Sequence, residues 1–355
     1  MSSGGGDVFT VRDGGLQTTI QDAGRPEWGH LGVPRSGAAD PWSLAVANLL
    51  AGNDPGDAAL EMLLVGPTLI VHSDLTIGLA GADLGARIDG GRRLVPGRSH
   101  RVAGGEILTF RAPSDASEAG PGARGYLAIA GGLDVPIVLG SRSTCLAGCF
   151  GGIDGRVIGA GDRLGVRAED AARGGRSRPP RTPPDLVWPE ADGAAGWRPG
   201  QPTILRVLPA PSMGAGAEDV ATAHAALIER DWQVGSAADR VGVRLDGDPL
   251  PAGIGAETTT HGVPWGAIQV PPDGRPIVLG ADHQATGGYR VAGVVISADL
   301  ALIGQLRPGA PVRLVATDRA TALAALSVRR AALTAGAAAL REAAGWSALI
   351  DAAGS

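Results

Sequence analysis

Residues 260–289 read THGVPWGAIQVPPDGRPIVLGADHQATGGY, and the short apolar runs inside this stretch, at 267–270 and 277–279, are separated by glycine and proline. That spacing is typical of brief β-strands joined by tight turns. The rest of the chain continues the pattern, because 57 glycines and 26 prolines favour turns and short strands over long helices. A mainly β fold with a few short helices is therefore predicted.

Polar side chains are also concentrated in this stretch, at a density that rarely serves core formation alone. They offer imidazole, carboxamide, carboxylate, hydroxyl and phenol groups. Gly287 and Gly288 would let a ligand approach the backbone without obstruction by a Cβ atom. The predicted site residues of this stretch are His261, Gln269, Asp282, Gln284, Thr286 and Tyr289.

A second polar block, TIQDAGRPEWGHLGVPRSGAAD, occupies residues 19–40. Two blocks this far apart in the sequence predict one site that is built from two parts of the fold. Each residue also has a structural interpretation, such as turn capping, and Arg240 is equally suited to pairing with a neighbouring carboxylate. The second block adds Gln21, Asp22, Arg25 and Asp40 as candidate site residues.

The chain of 355 residues is long enough for two domains. One helix, at 42–51, interrupts the first domain, because Asp40 can cap it and Pro41 fits its first turn. The predicted regions are a β domain at 1–168, an Arg/Pro/Gly-rich linker or surface excursion at 169–203, a second β domain at 204–317 and an alanine-rich C-terminal helix at 318–355.

All 31 basic residues are arginine, since the sequence contains no lysine. This excludes a Schiff-base lysine, a P-loop lysine and a lysine that carries biotin. Neither of two cysteines nor six dispersed histidines indicates a metal site. The net charge of -5 argues against a nucleic-acid partner. No signal peptide or apolar run of membrane-span length is expected, so the protein is predicted to be cytoplasmic.

Several blocks between about residues 15 and 315 carry a family resemblance, in order along the chain. They read QDAGR, GVPRSGAAD, ANLLAGN, GGLDVPIVLGSRST, DRVGVRLDG, HGVPWGAIQVPPDGRPIVL, DHQATGGY and SADLALIGQLRPG. The chain resembles the allophanate hydrolase subunit 2 family. That family includes the C subunit of 5-oxoprolinase, the KipI antagonist KipA and the second half of the carboxyltransferase domain of urea carboxylase.

The resemblance implies two cyclophilin-like β-barrel domains and a KipI-like partner, the homologue of allophanate hydrolase subunit 1. In the 5-oxoprolinase setting a LamB/YcsF-like protein joins them, and the complex opens the lactam of 5-oxoproline to glutamate at the expense of ATP. Two alternatives stay open. One is carboxyl transfer from carboxybiotin on a separate carrier to urea or a related amide, and the other is a non-catalytic, KipA-like antagonist of a KipI-like kinase inhibitor.

Under the oxoprolinase hypothesis, Asp22, Arg25 and Asp282 are the predicted catalytic residues. Arg25 would bind a substrate carboxylate or phosphate, and either aspartate would transfer a proton or hold metal-bound ATP. The remaining candidates would bind the substrate, with the glutamines on its amide. Because lysine is absent, ATP chemistry would use arginine, backbone amides or a lysine from one of the partner proteins.

Overall fold

The computed structural model describes residues 6–111, 122–167, 201–211, 217–251, 253–254 and 257–353. The chain divides into two compact units. Unit 1 comprises Met1–Gly24, Pro41–Pro189 and Arg330–Ser355, and unit 2 comprises Arg25–Asp40 and Glu190–Arg329. Residues 25–40 thus belong to the second unit, whereas the predicted first domain, 1–168, includes them. Most of the predicted linker at 169–203 lies outside the described residues, and its last residue, Thr203, begins a strand.

Short strands make up most of unit 1, together with helix α1 (Pro41–Ala51). The strands are β1 (Asp7–Asp13), β2 (Gln17–Gln21), β3 (Ala59–Leu63), β4 (Thr68–Val71), β5 (Leu75–Gly81), β6 (Ala86–Ile88), β7 (Arg92–Arg93), β8 (Arg98–Val102), β9 (Ile107–Phe110), β10 (Arg124–Ile129) and β11 (Arg163–Gly165). They form two sheets, in the orders β11-β1-β4-β9-β6-β7 and β2-β3-β10-β5-β8.

The two sheets of unit 1 share one aliphatic core. Val11 and Leu69 of the first sheet and Leu60, Ile77 and Leu127 of the second belong to a single buried cluster. Only 3% of the residues in the chain are aromatic, so branched aliphatic side chains fill this core. Burial of each such side chain contributes roughly 1.5–3 kcal/mol.

Helix α1 lies directly on strand β5. Pro41 fits the first helical position because its missing N–H would have no partner there. Gly52, with a φ of 83°, ends the helix in the left-handed conformation that glycine adopts easily. At the contact with β5, a side chain on Gly78 would overlap the Ala47 carbonyl, so the two backbones approach closely.

Unit 2 contains the remaining strands and helix α2 (Ala217–Ile228), helix α3 (Leu300–Gln305) and a 3₁₀ helix at Pro26–Leu31. A longer helix, α4 (Arg319–Ala353), continues from unit 2 into unit 1. The strands are β12 (Thr203–Pro209), β13 (Asp231–Ala238), β14 (Gly242–Asp246), β15 (Glu257–Gly262), β16 (Ala267–Val270), β17 (Ile277–Leu279), β18 (Thr286–Val295) and β19 (Pro311–Ala316).

Seven strands of unit 2 close into a barrel. Their order is β12-β19-β13-β14-β17-β16-β18, and β18 pairs back with β12 through Val207 and Val295. Strand β15 is paired to β18 outside this ring. The mainly β class, this barrel, the few helices and the C-terminal helix confirm those parts of the predicted fold. The cyclophilin-like character and a second barrel in unit 1 stay predictions.

Strand β16 shows which side of the barrel wall faces the core. Ile268 and Val270 belong to the barrel core, which also contains the fully buried Trp232. Ala267 belongs instead to a smaller cluster with Val263. Because successive side chains of a strand point to opposite faces, Gln269 lies with Ala267 on the outer face of the wall.

Helix α4 requires one correction to the sequence prediction. Its stretch Arg319–Ala343 is long and apolar enough, by length and composition only, to cross a membrane, whereas no such run is expected from the sequence. Alanine supplies most of this apolar character. Ala325, Ala337 and Leu340 are buried within the protein, and a helix of a globular protein passes the same test.

Candidate functional site

The side-chain amide of Gln269 occupies a buried position on the outer barrel face, where the residue is 2% exposed. Its Oε1 accepts a hydrogen bond from Gln284 Nε2 at 3.4 Å, and this contact orients the amide. Its Nε2 lies against Gly287 of β18, where a Cβ atom would overlap it. This buried Nε2 has no hydrogen-bond acceptor among the described residues. Since buried polar groups are normally paired, it is a donor that a ligand oxygen would satisfy.

A histidine on the neighbouring strand shares the sheet face of Gly287. In the antiparallel pairing of β15 and β18, His261 is directly opposite Gly287, and such pairs share a sheet face with Cβ positions about 5 Å apart. Its Nδ1 is 2.9 Å from the Thr259 carbonyl oxygen. A carbonyl only accepts, so Nδ1 carries a proton, and in this tautomer Nε2 is an acceptor. In the part of the chain that the structure describes, this buried Nε2 has no partner either.

An arginine and a tryptophan form a further polar part of unit 2. Arg35 Cζ lies 5.1 Å from the centre of the Trp265 ring, within the range of cation–π attraction. Burial lowers the pKa of Arg35 from its ordinary value. The indole Nε1 of Trp265 is buried and finds no acceptor in the described ranges. It is thus a second donor for a ligand oxygen.

Ser36 follows Arg35 and has an unusual backbone conformation. Its φ is 54°, which costs a non-glycine residue of order 1–3 kcal/mol and is common at functional sites. The residue is 1% exposed, and its hydroxyl lacks a hydrogen bond to any described residue. The segment around Ser36 is therefore held in place by its surroundings.

Arg240 and Asp282 form a buried ion pair. Arg240 Nε donates to Asp282 Oδ2 at 2.8 Å, and Nη2 donates to Oδ1 at 2.9 Å. The same Nη2 donates to the Gly37 carbonyl at 2.7 Å, which ties the segment 25–40 to the turn between β13 and β14. The pairing proposed for Arg240 is confirmed. Because both oxygens of Asp282 are engaged, the geometry supports a structural role, and its predicted role in catalysis stays a prediction.

His283 is the next residue, and it is 7% exposed. Its Nδ1 lies 2.7 Å from the Gln284 carbonyl oxygen, so Nδ1 holds the proton and Nε2 the lone pair. Burial lowers the pKa of His283, and the nearby charge of Arg35 lowers it further. The imidazole is therefore neutral at physiological pH.

Arg25 and Asp40 stand at the two ends of the segment 25–40, and both are buried. The Arg25 N–H donates to the Arg35 carbonyl at 2.7 Å, which closes the loop that contains the 3₁₀ helix. Asp40 Oδ2 accepts a hydrogen bond from Gln305 Nε2 at 2.7 Å. The two residues thus fix the segment within unit 2.

Asp22, in unit 1, is surrounded by hydrogen-bond donors. Its Oδ1 accepts from Gly24 N–H at 2.8 Å and from the hydroxyls of Ser141 and Ser143, and its Oδ2 accepts from Arg142 N–H at 2.6 Å. Both oxygens of the Asp22 carboxylate are therefore engaged by donors within unit 1, and its predicted role in catalysis stays a prediction. The geometry favours a structural role, in which Asp22 holds the loop at 141–143 in place.

Gln21 precedes Asp22 and is fully buried. Its Nε2 donates to Thr19 Oγ1 at 3.0 Å and to the Thr144 carbonyl at 3.1 Å. Its Oε1 is buried and receives no hydrogen bond from the described residues. Gln21 and Asp22 therefore form a cluster of their own in unit 1.

The candidates on β18 differ in the face they occupy. Tyr289 is two residues beyond Gly287 and shares its face, with 37% exposure. Thr286 is adjacent to Gly287 and faces the opposite side. Within unit 2 the structure thus places Gln269 against Gln284 and Gly287. His261 and Tyr289 lie on the face of the β15–β18 ladder that Gly287 occupies, and Thr286 lies on the opposite face.

Sequence reasoning missed Arg35, Trp265 and His283 as site residues. All three lie inside the two polar blocks, so membership of a block was the available signal. The contact of Arg35 with Trp265 depends on the tertiary fold, and the neutral state of His283 depends on burial. Neither property is visible in the sequence.

Comparison with known proteins gives a consistent result. The family model for the carboxyltransferase domain, subdomain A and B, matches residues 31–316. The C subunit of 5-oxoprolinase from Escherichia coli (strain K12) is 35% identical over 315 residues, which cover 88% of this chain and 92% of that protein. Urea amidolyase of Saccharomyces cerevisiae is 31% identical over 312 residues, which cover 85% of this chain and 16% of that protein.

Solved structures show the same relationship. The crystal structure of TTHA0988 is 38% identical with a TM-score of 0.72, and the match covers 87% of this chain but only 56% of that one. The structure of K. lactis urea amidolyase is 27% identical with a TM-score of 0.77, and the match covers 94% of this chain and 20% of that one. Since the family model spans most of the sequence, this chain belongs to the carboxyltransferase domain family, subdomain A and B.

Proposed function

We propose that this chain is the C subunit of an ATP-dependent 5-oxoprolinase, a cytoplasmic complex that opens the lactam of 5-oxoproline to glutamate. The relative from Escherichia coli supports this function, because the match extends over 92% of that protein. The match to yeast urea amidolyase covers 16% of a much longer protein. The similarity to the oxoprolinase protein is therefore the more complete one.

The observation that carries the proposal is the buried amide donor of Gln269. Its Oε1 is engaged by Gln284, so its Nε2 is left to donate to a ligand oxygen. Negative charge develops on a lactam oxygen when the amide is attacked, and a fixed donor in a dry site stabilises that charge. Loss of one such donor typically lowers kcat by about 10²–10³.

Partner proteins are part of this proposal. Two relatives, from Escherichia coli and Haemophilus influenzae, are named as the C subunit of 5-oxoprolinase, which implies a complex of several subunits. We assign the other subunits to a KipI-like protein, the subunit 1 homologue, and to a LamB/YcsF-like protein. ATP would be bound with these partners, since the present chain has no lysine, and no biotin would be attached to it.

The test is glutamate release from 5-oxoproline by the chain co-purified with both partners. We expect release that needs ATP and that stops when this chain is omitted. The Gln269→Leu variant should lower kcat by about a hundredfold while the complex still assembles. A stable complex without any glutamate release would disprove the proposed function.

Carboxyl transfer to urea or a related amide is the second candidate. The description of the matching family and the fold shared with K. lactis urea carboxylase, at a TM-score of 0.76, favour it. Here carboxybiotin would come from a separate carrier. Carboxylation of urea by this chain with a biotin carboxylase and a biotinylated carrier would establish it. A KipA-like antagonist would show neither activity but would still bind a KipI-like protein.

A further inference from the structure

Two buried atoms of opposite hydrogen-bonding character flank Gly287. Gln269 Nε2 is a donor and His261 Nε2 is an acceptor, and both lack a partner among the residues that the structure describes. The donor lies against Gly287, and the acceptor belongs to the residue directly across the β15–β18 ladder from Gly287. A buried polar atom without a partner is unfavourable, so a ligand that pairs both atoms removes that cost.

Each atom has a hydrogen-bonded neighbour that agrees with its donor or acceptor character. Gln284 donates to Gln269 Oε1, which turns the NH₂ group of Gln269 towards Gly287. The Thr259 carbonyl binds Nδ1 of His261, which leaves the lone pair on Nε2. The site therefore has a defined polarity, with one N–H donor and one nitrogen acceptor.

A donor next to an acceptor matches an amide whose C=O and N–H lie on the same edge. Ring amides have this arrangement, because a small ring forces the amide bond to be cis. Ordinary secondary amides are trans and place C=O and N–H on opposite edges. The pair of protein atoms can thus distinguish the two classes.

We propose that Gln269 Nε2 and His261 Nε2 form a subsite for the cis-amide edge of a lactam or cyclic urea, with Gln269 donating to C=O and His261 accepting from N–H. This inference rests on the proposed function, whose substrate is a lactam. It extends that function by defining which edge of the substrate is recognised and by assigning His261 as the acceptor for the substrate N–H.

The surroundings of Gly287 include an apolar side chain as well as the Gln269 amide. A Cβ atom on Gly287 would overlap Gln269 Nε2, so the amide packs directly on the Gly287 backbone. The Val263 methyl Cγ1 is 3.6 Å from the position that a Cβ of Gly287 would take, and Val263 is 6% exposed. An apolar wall of this kind fits the methylene groups of a five-membered ring.

Three small probes test the subsite by NMR titration of the co-purified complex. They are 2-pyrrolidinone, N-methyl-2-pyrrolidinone, which lacks the N–H, and N-methylacetamide, which is trans. We expect 2-pyrrolidinone to bind about tenfold more tightly than either of the others. Equal affinities for the lactam and its N-methyl derivative would overturn the proposal, as would failure of 2-pyrrolidinone to bind.

Variants of His261 and of a control histidine test whether His261 causes the difference between the probes. His261→Leu should weaken 2-pyrrolidinone binding about tenfold and leave N-methyl-2-pyrrolidinone unchanged, because only the lactam N–H uses the acceptor. His100→Leu is the matched control. The His100 ring is also hydrogen-bonded to a backbone carbonyl, that of Val95, but the residue lies in unit 1. Equal weakening of both probes by His261→Leu would show a purely structural role and contradict the subsite.

Failure of this inference is distinguishable from failure of the proposed function. If the wild-type complex releases glutamate but does not discriminate between the probes, the function stands and the subsite is wrong. If the probes are discriminated through His261 and no glutamate is released, the subsite stands and the reaction is a different one on a cis amide.

Discussion

The backbone of Gly287 lies directly beneath the side-chain amide of Gln269, at the point where any Cβ atom would overlap Nε2. Gly287→Ala should therefore displace the amide. The side chain of Gln269 can move at its end, so we expect little loss of folding stability. We expect kcat/KM of the complex to fall by about a hundredfold, because a misplaced group near the chemistry costs that much. Steady-state kinetics and urea unfolding of the same variant separate the two effects.

Gly288→Ala is the matched control for that experiment. A Cβ at Gly288 would meet the Thr258 carbonyl oxygen at 3.6 Å, an ordinary van der Waals contact. It lies on the opposite strand face from Gly287. Kinetics close to wild type are expected, and an equal loss in both variants would mean that the strand, rather than the Gln269 amide, is sensitive.

The Arg240–Asp282 ion pair provides a prediction about stability. Asp282→Asn should lower the free energy of unfolding by about 3–5 kcal/mol, because Arg240 then keeps a buried charge without its counter-charge. Replacing both residues by leucine should cost less than the two single changes together. Urea unfolding measures this. An Asp282→Asn variant of normal stability whose kcat alone has fallen would instead support the predicted catalytic role.

A second buried pair serves as the control for this prediction. Arg206 Nη2 donates to Asp299 Oδ1 at 2.6 Å, and Arg206 Nε donates to Oδ2 at 3.0 Å. Asp299→Asn should therefore cost a similar amount of stability. If Asp282 acts only by holding the fold, both asparagine variants should lose activity in proportion to the stability that they lose.

The hydrogen bonds around Asp22 yield a third prediction. Ser141→Ala and Ser143→Ala each remove one donor to the carboxylate and should each lower the free energy of unfolding by about 1 kcal/mol. Asp22→Ala should lower the free energy of unfolding more than either serine variant, since it leaves several buried donors without an acceptor. Thermal or urea unfolding provides the measurement. An Asp22→Ala variant as stable as wild type but inactive would restore the proton-transfer role predicted from the sequence.

His283 should make stability depend on pH. Burial lowers its pKa from the ordinary value of 6.5, so the unfolded chain binds a proton that the folded chain does not. The free energy of unfolding therefore falls as pH drops below about 6.5. In His283→Gln this part of the decline should disappear, which unfolding at about pH 7.5 and about pH 5.5 would show. An equal decline in both proteins would contradict the assignment.

Much of the fold could be predicted from the sequence, because alternation and turn residues act locally. Two strands, at 267–270 and 277–279, have the predicted bounds. Gly287 and Gly288, where a ligand is expected to approach the backbone, lie inside strand β18, and Gly287 is paired with His261 in a ladder. Closure of the barrel through β12 and β18 depends on contacts between distant segments, and only the family resemblance predicted it.

The candidate site was predictable in composition more than in arrangement. The groups of Gln269, Gln284 and His261 suit an amide. The structure places Gln284 against Gln269 and His261 across the ladder from Gly287. Asp22 and Asp282 were selected for their charge, yet their oxygens are engaged by donors that come from elsewhere in the chain. A sequence shows which carboxylates exist, whereas their availability depends on neighbours that only the fold supplies.

Closure of the barrel has a mechanical consequence for this site. In a closed ring, no strand can slip in register unless every other pairing slips with it, so the offset of Gln269 relative to Gly287 is locked. Strand β15 stands outside the ring and pairs with β18 on one side only in the described sheet. The donor half of the site is therefore rigid, and the half that carries His261 can adjust by bending a single ladder.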